Sequence, residues 1–415
     1  SIDASGKLVF PGFIDAHTHM GIPIMDTISA DDFESGSRAA AFGGVTTILD
    51  FTVQEKGQSL QEAVEIRCRK AQRKSYVDFS MHVNVTDQPK KWRSQIPALI
   101  EDGFISFKLF STYRQAGMMI TWEQFRQVMA EVNAHKGVLM LHAEDNDIVE
   151  TQTELHLNQN QLAPIFHARS RPAEAEAKAI ETAAEITREL SAQLYIVHLS
   201  SQAGLEAGIE ARRKGTDIIL ETCPQYLLLT ESQYHEPDGH YYITTPPLRT
   251  ESDVNALWQA IQNGDINTIG TDHCPFTRSQ KNAGKQQFHR TPNGLPGVET
   301  LFPLIYSYGV EEGRIDLHRL VDLLARNPAR IFGIDHRKGE IEIGKDADLV
   351  IWNPKVKSVV SVDRQHGAAD WSPYEGLRIT GSLEYTIRRG QILVQEDKFV
   401  PDKAAGELIR GKVSD

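Results

Sequence analysis

The chain has 415 residues, of which 24% are charged and 40% hydrophobic, with a formal net charge of -12. That is an ordinary globular balance, long enough for one large α/β unit and a smaller companion, and its negative field argues against nucleic-acid or membrane partners. No apolar run reaches the length of a membrane span and no basic-then-apolar leader opens the sequence; the odd, scattered cysteines Cys68, Cys223 and Cys274 read as reduced packing thiols in a cytoplasmic protein.

Short runs rich in Val, Ile, Leu and Phe alternate with longer segments of helical spacing, the pattern of repeated β-α units around a parallel sheet. In chain order the strand candidates are "FIDAHTH" (13–19), "VTTILDF" (45–51), "VDFSMHVNV" (77–85), "FISFKLF" (104–110), "GVLMLHA" (137–143), "LYIVHLS" (194–200), "DIILET" (217–222) and "INTIGTDH" (266–273). Eight such strands with intervening helices predict an α/β fold, a TIM-like (β/α)8 barrel. Helix punctuation agrees: Ser29 or Asp31 can cap "DDFESGSRAAAFGG" and Ser59 "LQEAVEIRCRKAQRK". Thr121 with Gln124 forms a capping box, Gly137 can close that helix, and Ala-rich "PAEAEAKAIETAAEITREL" needs little help.

Two regions break the rhythm. His273–Glu299 is long, polar and rich in Gly and Pro, directly after the eighth strand, where an active-site loop is expected. "KGEIEIGKDADLVIWNP" (338–354) and "SLEYTIRRGQILVQEDKFV" (382–400) alternate in period two, which predicts a small antiparallel β domain, followed by a polar, docked tail.

Chemistry in such a barrel sits at the C-terminal ends of the strands. His17 and His19 end the first strand and, two apart, face the same way; a His-x-His pair alone is weak evidence for a metal. Taken singly, His142 and His198 read as hydrogen-bonded core histidines, and Asp272 as a turn cap. Lys108 is harder to dismiss, because an unpaired buried ammonium costs several kcal/mol. Four histidines, a lysine and an aspartate converging on one rim make the ligand set of catalytic zinc and similar cations. An ammonium cannot ligate a cation, whereas a lysine carboxylated by CO2 presents two oxygens able to bridge two metals.

With these residues in place, "PGFIDAHTH", "RAAAFGGVTTILDF", "SFKLF", "LHAEDND", "IVHLS", "ETCPQYLLL", "TPPLR", "GTDHCPF" and "PNGLPGVE" resemble the dihydropyrimidinase/hydantoinase branch of the cyclic amidohydrolases. The resemblance runs from about Ile2 to beyond Val350. It implies a barrel beside a β-sandwich, two divalent metal ions, usually zinc, and a homotetramer. It also implies that His17, His19 and Asp272 bind one metal, that His142 and His198 bind the other, and that N6-carboxylated Lys108 bridges them. Tyr113 then donates to the developing oxyanion, Asp272 shuttles the proton, and the backbone around Thr245 with Asn293 fixes the ring amides. The expected division is a metal-dependent barrel over 10–335, a small β-sandwich from 1–9 plus 336–398, and a C-terminal tail over 399–415.

The chain departs from the resemblance in two places. Relatives carry several strands before "IDASGKLVFPG"; either the sequence is a trimmed piece of a longer chain or the sandwich is incomplete, with open edges. Thr245 stands where relatives commonly have serine, a change of little weight if the contact is through backbone. Dihydroorotases carry an arginine for their substrate carboxylate two residues after the His-x-His pair; Gly21 stands there, which favours an uncharged cyclic amide such as a dihydropyrimidine or a 5-substituted hydantoin. Met20, Ile22, Ile24, Met118 and Met119 are expected near the ring substituent, with methionine packing adaptably. Allantoinase-like activity is an alternative. So is a non-catalytic dihydropyrimidinase-related interaction protein; such proteins lose metal ligands, and all six are present here.

Overall fold

The computed structural model describes residues 2–413. Eight parallel strands follow one another round a barrel in sequence order: Phe13–Thr18, Val45–Phe51, Asp78–Asn84, Ser106–Phe110, Val138–His142, Gln193–Ile196, Asp217–Thr222 and Thr268–Ile269. All residues of the first five are buried, as they must be where helices cover one side of a parallel sheet and side-chain layers fill the other. These are the eight apolar runs expected from the sequence.

The eighth strand is much shorter than the expected 266–273. Gly270 passes so close to His17 that a Cβ on it would lie 2.9 Å from the His17 Cβ. Asp272 then takes a φ of 53°, outside the range of a ladder residue. Closure falls on other bonds: His19 N–H donates to the His273 carbonyl at 2.8 Å, and Thr271 N–H and hydroxyl donate to the Asp15 carboxylate at 3.0 and 2.5 Å.

The helices form where expected, with two capping differences. The Thr121/Gln124 box opens Trp122–Ala134 and Ser59 caps Leu60–Ala71. His135 rather than Gly137 ends the first of these, and Gly137 instead leads into the next strand. Phe33–Phe42 is capped by Asp32, not by Ser29 or Asp31. Both are engaged elsewhere: the Ser29 hydroxyl donates to the His19 carbonyl at 2.9 Å, and Asp31 pairs with His273 at 3.2 Å.

A five-stranded antiparallel sheet, ordered Leu8–Pro11, Leu349–Val359, Arg378–Arg388, Gln391–Gln395 and Lys398–Phe399, sits beside the barrel. Its first strand straddles residue 10, where the barrel is expected to begin. An aromatic column joins the two: Phe13 stacks on Phe302 at 4.2 Å, and Trp352 meets Phe302 edge-on at 4.7 Å. At Gly381, with φ of 100°, any Cβ would overlap the Trp352 indole. The alternation expected from residue 338 enters the ladder only at Leu349, and Ile341 and Ile343 are exposed. Ion pairs of Lys338 with Asp78 and Asp348, and of Glu340 with Arg326 and Lys345, tie this segment down instead, with no strand beside it among the described residues.

The tail docks under the barrel. Ile409 is fully buried with Phe332 and Ile334, while Phe79 N–H donates to Glu407 O at 2.9 Å and Ile409 N–H to Phe79 O at 2.8 Å. Ser1 and residues 414–415, the ends of the expected small-domain and tail ranges, lie outside the described residues. No described helix is long and apolar enough to cross a membrane.

Candidate active site

The polar residues picked out from the sequence meet at the C-terminal mouth of the barrel. His17 lies in the first strand and His19 just beyond it, with ring centroids 5.2 Å apart. Asp272 comes in from beyond the eighth strand, its Oδ1 3.2 Å from His17 Nε2 and 3.0 Å from His19 Nε2. His198 stacks 5.4 Å from His17 and meets His142 edge-on at 4.5 Å; the Tyr113 ring lies 5.1 Å from His142. His17, His19, Lys108, Tyr113, His142, His198, Thr245, Asp272 and Asn293 all line one cavity of about 510 Å³.

Aiming these side chains requires unusual backbone. Tyr113, His198 and Asp272 have φ of 68°, 40° and 53°. Left-handed backbone at a non-glycine residue costs about 1–3 kcal/mol and persists only where the surroundings impose it. Three such residues surround this one cavity.

Burial pushes His17 and His198 well below the ordinary imidazole value, so both are neutral. Glu221 Oε1 lies 2.7 Å from His17 Nδ1, which places the proton on Nδ1 and leaves the Nε2 lone pair facing Asp272. Among the described residues, His17 Nε2, His19 Nδ1 and His198 Nδ1 are buried without a hydrogen-bond partner. Buried imidazole nitrogens without partners are rare, and imidazoles beside a carboxylate are the donor set of a divalent cation. The residues therefore fit the metal ions that the resemblance implies. Burial raises the Asp272 carboxyl, but His17 and His19 outweigh it and hold the group below its usual range. Lys108 lies over the rings of Phe51 and Phe110 at 5.1 and 5.4 Å, and burial drives its amine down to about 7.

Two acids and an arginine escape a reading of the sequence. Glu221 accepts from His17, from His198 N–H at 2.9 Å and from the Tyr195 hydroxyl at 2.7 Å, and burial pushes it up to about 7. An acid inside the apolar run "DIILET" was its signal. Glu144 lies 2.6 Å from His142 Nε2 and 2.6 Å from Arg171 Nη1. Burial opposes ionisation there, yet Arg171 and His142 hold the carboxyl down to about 2. Arg171, from a loop with no motif, also places its guanidinium 5.2 Å from the Tyr113 ring centre. Of the apolar residues expected near the substituent, Ile22, Ile24 and Met118 line the cavity, with Met25 and Val53 beside them; Met20 and Met119 do not. Met20 is buried instead against Gly36, where any Cβ would overlap its sulfur. Arg67 is paired with Asp50 away from the cavity, so among the described residues Lys108 is the only lysine or arginine on its wall.

Imidazoles and a carboxylate at the C-terminal mouth of a (β/α)8 barrel are the arrangement found in metal-dependent hydrolases. The chain belongs to the amidohydrolase family, whose model matches residues 8–393, and within it to the branch of dihydropyrimidinases and hydantoinases. It is 39% identical over 415 residues to a D-hydantoinase of Geobacillus stearothermophilus, covering 99% of this chain and 88% of that protein. Against a D-phenylhydantoinase of Escherichia coli the identity is 37% over 414 residues, 99% of this chain and 89% of the relative. The crystal structure of a dihydropyrimidinase from Brevibacillus agri superposes with a TM-score of 0.97 at 36% identity, covering 99% of this chain and 90% of that one.

Proposed function

We propose that the protein hydrolyses the ring amide of dihydropyrimidines or 5-substituted hydantoins, giving N-carbamoyl amino acids. The observation that carries this reading is one cavity lined together by His17, His19, Lys108, His142, His198 and Asp272, in which three imidazoles have a buried nitrogen without a partner among the described residues, with Tyr113, Thr245 and Asn293 also on its lining. His17, His19 and Asp272 would hold one divalent ion and His142 and His198 the other, with Lys108 between them. Lys108 reaches that role as a carbamate: its neutral amine adds to the carbon of CO2 and releases one proton, a step favoured by an amine brought down to about 7. Two bound divalent ions, zinc in this reading, lower the pKa of water toward neutrality and polarise a carbonyl.

The remaining work falls to the chain's own residues. Asp272 takes the proton from the attacking water and delivers it to the leaving ring nitrogen. Tyr113, whose hydroxyl is kept protonated chiefly by burial, donates to the oxygen on which charge develops. The backbone around Thr245 and Asn293 holds the ring's amide edge. Ile22, Ile24, Met25, Val53 and Met118 offer an apolar wall to the substituent. With no arginine among the described residues that line it, the cavity suits an uncharged ring.

The presence of all six ligand positions in one cavity disfavours a non-catalytic interaction protein, and the apolar wall disfavours allantoin, whose substituent is polar. Residues 10–335 form the barrel domain in this reading, 1–9 with 336–398 the small β domain and 399–415 the tail. The working form is a homotetramer, an assignment that rests on the resemblance and is tested by sedimentation of the purified chain, and its cytoplasmic location rests on the scattered cysteines. Metal analysis combined with ultraviolet assay on dihydrouracil, hydantoin and 5-phenylhydantoin tests the activity. Zinc-loaded protein is expected to hydrolyse at least one; inertness toward all three overturns the reading.

A further inference from the structure

The segment Ile243–Leu248, "ITTPPL", carries Thr244 and Thr245 on the cavity wall, and buried side chains from separate parts of the chain hold its backbone. Lys281 Nζ donates to the Ile243 carbonyl at 2.7 Å. The same oxygen accepts from Gly294 N–H at 3.1 Å, which ties Ile243 to the loop bearing Asn293. His167 Nε2 donates to the Thr244 carbonyl at 2.8 Å, and the Tyr226 hydroxyl to the Pro246 carbonyl at 2.7 Å. A carbonyl only accepts, so the proton of His167 sits on Nε2; burial keeps that ring neutral, down to about 3.

Lys281 is the costly member of this set. It is fully buried, and its charged end rests over the Phe276 ring at 5.6 Å. No carboxylate among the described residues lies within ion-pair distance of it. A methionine would fill the same channel without an ammionium to desolvate, so packing does not account for a lysine. What lysine adds is a donor to Ile243, at the junction of the two segments that face the substrate ring.

We propose that Lys281, assisted by His167, is a positioning residue for substrate: its bond to the Ile243 carbonyl sets the Thr244–Thr245 backbone and the Asn293–Gly294 loop at the spacing of a cyclic amide edge. This rests on the reading that the ring binds at Thr245 and Asn293. Contacts made alike in ground and transition states act on KM rather than kcat. Losing one such bond is expected to raise KM about tenfold.

The test uses zinc-loaded full chain with a hydantoin as substrate, comparing wild type, Lys281→Met and Lys281→Gln. Expected for K281M are a KM raised about tenfold, kcat within about threefold and unchanged metal content. Its melting temperature should not fall, and amide exchange should quicken in peptides covering 243–248 and 292–296 and not elsewhere. K281Q, which keeps a donor, should lie between. His167→Phe should raise KM more than His167→Gln, which keeps an N–H at similar reach. An unchanged KM with unchanged exchange overturns the proposal, as does a lower melting temperature with kcat reduced at constant KM. Failure of both Lys281 variants to fold would make the lysine purely structural and also overturn it. A wild type inert toward every cyclic amide overturns the hydrolase reading, while the exchange readout still decides whether Lys281 holds the segment.

Discussion

Two triads of metal-binding residue types stand at opposite ends of the barrel. His17, His19 and Asp272 converge at the C-terminal mouth, and Asp78, Asp346 and Asp348 at the N-terminal end of the third strand; in each, the ligand atoms lie within 4.8 Å of one another. The lower triad is filled by Lys338, whose Nζ lies 2.6, 2.9 and 2.7 Å from the three aspartates. In the upper one, two imidazoles face a carboxylate with no lysine or arginine between them among the described residues. Similar clustering thus meets different surroundings: an internal ammonium satisfies the bottom of the barrel and fastens the small sheet to it, while the mouth leaves its imidazoles and carboxylate open to the cavity.

Substitutions at the two triads should separate these roles. The largest effect is expected at the mouth: Lys108→Ala should lose metal and at least about a thousandfold in kcat/KM, because in the proposed mechanism a two-metal site supplies the nucleophile. Short carboxylic acids should restore part of the activity, and full activity in the variant would remove the bridge. At the base, Lys338→Met removes the one cation shared by the three carboxylates, leaving Arg389 beside Asp78 and Arg337 beside Asp346 but Asp348 buried without a cationic partner, and should cost about 3 kcal/mol in denaturant unfolding. The specific activity of its folded fraction should be unchanged; a loss of activity without a loss of stability would erase the contrast.

Tyr113→Phe removes one donor from the mouth. It should lower kcat about 100- to 1000-fold with unchanged metal content, the cost of losing an oxyanion contact. The smallest effect concerns pH. Burial brings Lys281 to about 7, below the ordinary lysine value of 10.5, so its folded pKa is depressed relative to the unfolded chain. At pH 7 and below, the folded state bears the cost of a buried ammonium; as pH rises above 7 the unfolded chain holds the extra proton and the cost fades. Lys281→Met should therefore show its greatest stability relative to wild type at or below pH 7, with the gap closing toward pH 9 in thermal unfolding. A gap that widens over that interval would contradict the assignment.

Much of the barrel was legible because its signals are local. Apolar runs of strand length, the Ser59 cap and the Thr121/Gln124 box depend on residues within a turn or two of each other. The cavity residues were legible because each is a polar anomaly near the end of an apolar run. Less visible was anything set by partners far along the chain. His17 meets Glu221 204 residues away, and Lys338 meets Asp78 260 residues away. The helix over Phe33–Phe42 took Asp32 as its cap because the side chains of Ser29 and Asp31 were engaged by distant groups.

The amino-acid sequence by itself determined the eight strands, their order, and the kinds of ligand atoms carried at their ends, since strand alternation and side-chain chemistry are properties of short stretches. Only the tertiary structure decided what those atoms experience. Close packing of Gly270 on His17 cut the eighth strand short, and the fold holds Asp272 in left-handed backbone that turns its carboxylate toward two imidazoles. Burial from surrounding layers keeps the His17 imidazole neutral and brings the Lys108 amine to about 7. Desolvation and backbone strain are properties of the assembled barrel, and no window of sequence contains them.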